Sequence, residues 1–178
     1  MFICKNNSYE ILLFAIFLGL FVTVATAQDT TALKTIKNLD AKSKTAYFSL
    51  SEGKEVKETE AWDLAFNATT IKLNNKADLK TKVAVATLKG TSFEKVIKTP
   101  STGFQEDTQA TSGIPSGSGN GWYTYDMATH QVLPIADRVF VVRTNAGTVV
   151  KFQVESYYFN QDEAEETGYY TFKYTELK

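Results

Sequence analysis

The segment Val149–Tyr158, with the sequence VVKFQVESYY, carries the clearest secondary-structure signal in this chain of 178 residues. Val150, Phe152 and Val154 alternate with polar residues at positions 151, 153 and 155. A period of two residues is typical of a β-strand with one face buried and the other in solvent. We therefore predict a half-buried strand here and expect neighbouring segments to pair with it.

Both neighbouring segments have strand character. Before it, DRVFVVRT (residues 137–144) predicts a more buried strand, and the Asn-Ala-Gly at 145–147 has the length and the glycine of a hairpin loop. After it, GYYTFKYTE from Gly168 places Tyr170, Phe172 and Tyr174 on one face. The acidic stretch at 160–168 predicts a solvated connection with at most a short helical turn.

Strand signals recur earlier in the chain, in TAYFSLS (residues 45–51), AWDLAFNATTIKL (61–73) and KVAVATL (82–88). Aromatic residues make up 13% of the chain, which favours strands because their side chains suit a pleated surface. SFEKVI, at 92–97, predicts either a helical turn or a strand. No segment after residue 27 shows a sustained helical period, so we predict a single, mostly β domain with antiparallel strands.

A long loop is predicted at 99–121, TPSTGFQEDTQATSGIPSGSGNG, which is rich in Gly, Ser, Thr and Pro. A loop of this length is unusual in a compact domain and is usually functional or disordered. Its last five residues, GSGNG, are not a phosphate-binding loop, because no Lys-Ser/Thr follows and an aromatic run replaces the expected helix. We interpret GSGNG as a flexible linker.

The first 27 residues predict a secretory signal peptide. A polar start is followed by the apolar run ILLFAIFLGLFVTVATA at 11–27, which ends in a small-x-small site before Gln28. We predict cleavage there and export of the domain at 28–178. The alternative is an uncleaved membrane anchor, because 17 apolar residues are at the lower limit of a bilayer span. Cys4 precedes the apolar run, whereas a lipoprotein cysteine would follow it, so lipidation is not predicted.

Composition excludes several classes of function. After cleavage the chain would contain no cysteine, which excludes disulfides, thiol catalysis, cysteine-ligated zinc and iron–sulfur clusters. The net charge is −1 and no basic run occurs, so nucleic-acid binding is not predicted. One histidine allows a Ser-His-Asp triad in principle, but no GxSxG motif is present. We predict a binding protein rather than an enzyme.

The stretch YDMATH, at 125–130, holds two candidate ligands for a soft metal or for haem iron. Met127 is the only methionine besides the initiator, and His130 is the only histidine. Thioether and imidazole groups both bind haem iron. A methionine that fills a core gap and a histidine on a surface turn would explain the same residues. Their Cα atoms are at most about 10 Å apart, so the two cannot ligate one iron from opposite faces.

Three stretches carry a family resemblance: AKSKTAYFSLSEGKEV (41–56), AWDLAFNATTIKLN (61–74), and the run from GWYTYDM to GYYTFKYT (121–175). The Trp-Asp-x-Ala core of the second stretch is the most diagnostic piece. In this order they cover most of the predicted domain, and they resemble the HmuY-like family of exported haem-binding proteins, or haemophores, of Gram-negative bacteria. The resemblance implies a mostly β fold, likened to a hand that grips haem between finger-like loops.

The resemblance also implies a binding site. Family members hold the iron between two axial side chains, which are His in some and Met in others. One ligand lies five residues after the tryptophan, an offset that lands on Met127, whereas His130 lies off this position and is expected as an alternate ligand. Trp122, Tyr123 and Tyr125 would wall the cleft, although aromatic residues in strands are also commonly part of a core.

The second axial ligand implied by the resemblance is missing. In the family prototype a long β-hairpin before the tryptophan carries it, but residues 100–120 contain no His, Met, Cys or Tyr. Haem would then be five-coordinate, or a tyrosine from elsewhere or a second protomer would complete the site. A third alternative is that the cleft takes another planar or apolar ligand.

The expected function is the capture and delivery of haem or a related tetrapyrrole, without catalysis. The resemblance implies an outer-membrane haem receptor as a partner. The alternative function is a non-haem surface or adhesion module, or another small-ligand-binding module, on the same scaffold. The missing second ligand motivates that alternative.

Overall fold

The computed structural model describes residue 1 and residues 32–178. The predicted cleavage site and Cys4 lie outside these described residues, and the signal peptide stays a prediction. No helix in the described part of the chain is long and apolar enough to cross a membrane. Eleven β-strands form within residues 32–178. Their bounds are Lys34–Asp40 (β1), Ala46–Ser49 (β2), Lys54–Val56 (β3), Leu64–Asn67 (β4), Thr70–Leu73 (β5), Ala84–Lys89 (β6), Tyr123–Asp126 (β7), Gln131–Pro134 (β8), Arg138–Arg143 (β9), Val149–Tyr158 (β10) and Thr167–Leu177 (β11).

The strands form two sheets and a separate hairpin, and all pairings are antiparallel. The larger sheet has the order β1-β11-β10-β9-β6, and the smaller has the order β3-β2-β4-β5. Strands β7 and β8 pair only with each other. In the larger sheet, Phe152 of β10 lies opposite Phe140 of β9 on one side and Tyr174 of β11 on the other. The prediction of a mostly β, antiparallel domain is confirmed.

Aromatic side chains from both sheets form the main core. Phe48 and Phe66 of the smaller sheet contact Phe172 of the larger sheet, each with ring centroids 5.3 Å apart. In the same cluster, the ring of Phe152 on β10 packs against the ring of Phe140 on β9, with their centroids 5.1 Å apart. Burial of each of these rings removes apolar area from water and contributes roughly 2–3 kcal/mol. The period of two in β10 and β11 is what places these rings on one face.

The predicted strands are confirmed with one correction in the chain path. Strand β10 has the predicted bounds, and the loop at 145–147 joins it to β9, with Gly147 at φ +87°. The run at 61–73 is wrong as a single strand, because Asn67 and Thr70 pair across a tight turn in which Ala68 has φ +46°. SFEKVI contains a 3-10 turn at Phe93–Lys95. Strands β1, β3 and β8 were not predicted.

One buried carboxylate joins the two sheets. Asp63, immediately before β4, is fully buried and accepts a hydrogen bond of 2.8 Å from the amide of Leu50, which follows β2. It also accepts bonds from the amide and the side-chain amide of Asn145, at 2.8 and 2.9 Å. Asn145 belongs to the β9–β10 loop of the larger sheet. Burial raises the pKa of Asp63, and its N–H donors act against that rise by stabilising the charged form.

We expect Asp63→Asn to destabilise the fold by about 3 kcal/mol, because an amide NH₂ would face N–H donors that need an acceptor. The measurement is urea unfolding followed by tryptophan fluorescence. Asp137→Asn is the matched control, since Asp137 is exposed just before β9, and we expect it to change the unfolding free energy by less than about 0.5 kcal/mol. Equal effects of the two substitutions would contradict the assigned role of Asp63.

The second face of β10 is covered, which corrects the prediction of a half-buried strand. Lys151 is only 6% exposed and Gln153 only 7%. The Nζ of Lys151 donates to the carbonyl of Phe93 at 2.6 Å and lies 4.1 Å from the centre of the Phe93 ring. Within residues 32–178 no carboxylate lies at ion-pair distance from Lys151. Burial therefore lowers the pKa of Lys151 below its usual value near 10.5.

This lowered pKa predicts how Lys151 contributes to stability as the pH changes. Between the lowered pKa and its usual value near 10.5, the unfolded chain binds more protons than the folded protein, so stability rises with pH. Above the usual pKa the Lys151 amine is neutral in both states, so its burial carries no cost of burying a charge. As the pH falls to the lowered pKa, the folded protein must bury a charged ammonium, and this stability is lost. We expect the unfolding free energy of the native protein, relative to Lys151→Met, to increase from pH 7 to about pH 10. A difference that stays constant over this range in urea titrations would refute the prediction.

Candidate functional site

The two candidate ligands lie on the turn of the β7–β8 hairpin. Residues 127–130 form this turn and all are exposed. At its start, the carboxylate of Asp126 accepts a bond of 2.8 Å from the amide of Ala128. This bond and the Thr129 hydroxyl lower the pKa of Asp126. At its end, His130 has φ +58°, a conformation that His adopts more readily than most residues. The turn is therefore closed by local bonds.

The side chains at the tip differ in accessibility. Met127 is 74% exposed, so its thioether points to solvent and does not fill a core gap. Tyr125 is 39% exposed, and its hydroxyl lies 3.0 Å from Nδ1 of His130. The same end of the hairpin thus carries Tyr125, Met127 and His130, as expected for residues within six positions of one another. Their roles in binding stay predictions.

Trp122, at the base of the hairpin, is buried. Its exposed fraction is 2%, and its Nε1 donates to the carbonyl of Thr69 at 2.9 Å. Its ring packs against Tyr123, Tyr157 and Tyr170, with centroids 4.8, 5.4 and 5.0 Å away. Of the three predicted wall residues, Trp122 lies in the core, Tyr123 is half-buried beside it, and only Tyr125 is exposed. The indole anchors the hairpin to both sheets.

The end of the long loop is attached to the same base. Arg138, at the start of β9, is 8% exposed, and its guanidinium donates to three successive carbonyls, those of Gly119, Asn120 and Gly121. A Cβ on Gly121 would lie 2.1 Å from the carbonyl oxygen of Pro115, so this close approach requires glycine. The GSGNG stretch is therefore bound along its length, contrary to the flexible linker that its composition indicates.

The loop also pairs with the hairpin. The amide of Tyr125 donates to the hydroxyl of Ser118 at 2.7 Å, and the amide of Gly119 donates to the carbonyl of Tyr123 at 2.8 Å. On the other strand, the amide of Val132 donates to the Tyr158 hydroxyl at 2.9 Å. The hairpin thus has support on both edges, while its turn is free.

Comparison with known proteins identifies the family. The model of the HmuY protein family matches residues 41–174. This chain belongs to the HmuY family. The match includes the Trp-Asp-x-Ala motif, the β7–β8 hairpin and the whole aromatic core. No curated protein matches the chain by sequence.

Solved structures show the same HmuY-like fold. An apo HmuY analogue of Tannerella forsythia is 15% identical, with a TM-score of 0.59 over 84% of this chain and 99% of that chain. A protein of Bacteroides vulgatus, described as an HmuY-like haem-binding protein, is 19% identical, with a TM-score of 0.58 over 82% and 92%. A protein of Bacteroides fragilis, described as a lipoprotein, is 17% identical, with a TM-score of 0.57 over 80% and 90%. At these identities the likeness concerns the fold.

Membership of the HmuY family supports a haem-binding type of protein at the level of the family, and this family is one of non-enzymatic binding proteins. Within the described residues, no group of three or more His, Cys, Asp or Glu side chains could hold a metal ion. Tyr157, Tyr158 and Tyr170 are buried in the core, so none of them can supply a second ligand without rearrangement.

Sequence reasoning missed the residues that support the hairpin. Asp63 lies in the diagnostic motif, but its partners are 13 and 82 positions away. Arg138 lies in a run recognised only as a strand. An arginine inside an otherwise apolar strand, with a Gly-rich stretch before it, is the one sequence signal that could have indicated its role.

We expect Arg138→Lys to loosen the loop end, because an ammonium cannot contact three carbonyls with the planar fork of a guanidinium. Amide hydrogen exchange at Gly119 and Tyr125 should accelerate, and the unfolding free energy should fall by about 1–2 kcal/mol. Arg143→Lys is the matched control, since Arg143 is an exposed arginine at the other end of β9. If both variants leave these amides as protected as in the native protein, Arg138 does not hold the loop.

Proposed function

We propose that this HmuY-family protein is exported and binds haem or a related tetrapyrrole without catalysis, with the thioether of Met127 as the protein's iron ligand. One observation carries the proposal: Met127 is 74% exposed at the tip of a hairpin whose base is fixed in the core. A thioether on an exposed turn of an anchored hairpin can bind iron without any rearrangement of the core. The family match supports haem rather than a free metal ion as the partner.

The turn carries two side chains that can bind haem iron. The thioether is a soft ligand, and the imidazole of His130 is an intermediate one. When Nδ1 of His130 donates its proton to the Tyr125 hydroxyl, the lone pair of Nε2 is left open to solvent. His130 is therefore the alternate ligand on the same turn. Because both residues lie on one four-residue turn, they would hold the iron from the same side.

Haem, when bound, supplies an iron centre that a thioether holds more firmly in the ferrous state. The chain's own residues position and cover it. Tyr125 offers an exposed aromatic side chain near Met127. Trp122 and Tyr123 pack together at the base of the hairpin and anchor β7. Met127 would be the only ligand from this chain, or a tyrosine elsewhere or a second protomer would supply another. Delivery to an outer-membrane receptor would complete the function.

A second candidate function is a non-haem surface or adhesion module, or a module for another small ligand. It is favoured by the burial of Trp122 and by the absence of His, Met, Cys and Tyr from residues 100–120. On this alternative, the hairpin would keep its anchored geometry but bind no iron. The two candidates differ in whether the chain changes the spectrum of haem.

The deciding experiment titrates the purified protein with haemin, oxidised and then reduced with dithionite, beside Met127→Ala and His130→Ala. We expect a saturating Soret shift, tighter binding of reduced haem, and a loss of affinity of more than about tenfold in Met127→Ala. His130→Ala should retain binding, and Tyr125→Phe is a control that keeps the ring but removes the hydroxyl.

The outcomes separate the candidates. If the Soret shift were lost only in His130→Ala, the imidazole would be the ligand, and the proposal that the protein binds haem would stand. Equal or weaker affinity for reduced haem would count against a thioether ligand. No spectral change above a free-haemin control, in either redox state, would establish the non-haem alternative.

A further inference from the structure

The larger sheet has an open edge at β6. Val85 exchanges two backbone hydrogen bonds with Gln105, at 2.8 and 2.9 Å, on the side away from β9. In an antiparallel pair, alternate residues direct their N–H and C=O groups to opposite sides. Thr87 and Lys89 therefore direct their backbone groups to the same side as Val85. No backbone bond joins Thr87 or Lys89 to the loop, so both residues are unpaired on this side within residues 32–178.

The other sheet edges are protected in ways that β6 is not. The register of β1 against β11 shifts between Ile36 and Leu39, which disrupts a regular ladder. Strand β3 has only three residues. On β5, the amide of Leu73 donates to the carboxylate of Asp107 at 2.9 Å. Natural proteins use bulges, short strands, covering loops and edge lysines to block strand addition, and Lys89 is the one feature of this kind at the uncovered end of β6.

Two depressions adjoin this edge. Val85 lines one and Leu88, three positions further along the strand, lines the other, and residues at this spacing face opposite sides of a sheet. One, of about 220 Å³, is lined by Thr87, Lys89 and Gly103. The other, of about 500 Å³, is lined by Leu88, Val96 and Ile97 along with Thr87 and Lys89. A strand added to the edge would direct alternate side chains to opposite faces, and so into the two depressions in turn. Pockets for alternate side chains are what give specificity to peptides that bind by strand addition.

The charge around the edge indicates the kind of peptide. Lys89, Lys95 and Lys98 are all exposed and line the larger depression. No carboxylate in the described part of the chain forms an ion pair with any of the three. The lining of both depressions contains no acidic residue. Ile97 adds an apolar surface that is 71% exposed. The surface is complementary to acidic and apolar side chains together.

We propose that the β6 edge at Thr87 and Lys89 captures an extended peptide segment of a partner protein, in which acidic residues alternate with apolar ones, as an added strand. The backbone groups of Thr87 and Lys89 bond to the peptide, and the three lysines select for its charge. A second copy of this chain fits less well, because pairing two β6 edges would bring Lys89 and its neighbours close to their own copies. The proposal does not depend on haem binding.

The test uses the isotope-labelled protein and an acetylated, amidated hexapeptide of alternating glutamate and valine. We expect saturable NMR shifts, and protection from hydrogen exchange, at the amides of Thr87 and Lys89. A hexapeptide of alternating lysine and valine is the matched probe and should bind at least about tenfold more weakly. Thr87→Pro, which removes one edge donor and is tolerated at an unpaired edge position, should abolish the protection.

A second pair of variants tests charge without touching the strand. Lys95→Glu with Lys98→Glu should weaken binding by about fivefold or more. Lys37→Glu with Lys57→Glu makes the same change in net charge at exposed sites outside the two depressions, and should leave binding unchanged. Equal binding of both peptides, or no shift at Thr87 and Lys89, would overturn the proposal. Shifts at these amides that depend on protein concentration without peptide would overturn it in favour of a second copy.

Discussion

The hydrogen bonds to the buried carboxylate of Asp63 are the constraint on which the rest of the structure depends. The two sheets meet through aromatic side chains, whose hydrophobic contact is non-directional, whereas the three N–H donors to this carboxylate require a defined direction and distance. Asp63 thereby fixes the β9–β10 loop against the smaller sheet. The direction of β9 then determines where Arg138 lies, and Arg138 holds the chain that enters the β7–β8 hairpin. The position of the candidate site follows from this sequence of contacts.

The fold was predictable from the sequence where the pattern is local. The period of two gave the bounds of β10, and it placed Tyr170, Phe172 and Tyr174 on the core face of β11. The burial of Lys151 was not predictable in this way. The turn that covers it lies 58 positions earlier in the chain, and a lysine in an alternating strand is typical of a solvent-facing side. The turn between Asn67 and Thr70 was missed because the residues around it continue the strand pattern.

The candidate site was only partly predictable. The resemblance indicated Met127 through its offset from Trp122, and the structure places Met127 on an exposed turn. The spacing of the aromatic residues could not distinguish the buried Trp122 from the exposed Tyr125. Whether an aromatic side chain in this run is buried depends on which other elements pack against it. Trp122 is buried because Tyr157 and Tyr170, from β10 and β11, pack against its ring. Such long-range contacts have no local sequence signal.

The exposure of Met127 has a chemical consequence of its own. A thioether in solvent is open to oxidants, and methionine sulfoxide presents a polar oxygen in place of a soft sulfur. Because Met127 lies on the turn and outside the core, this change would cost the fold little. It would, however, replace the donor that suits ferrous iron with one that does not. The same exposure makes the hairpin a point at which oxidation would alter the proposed haem binding before it altered folding.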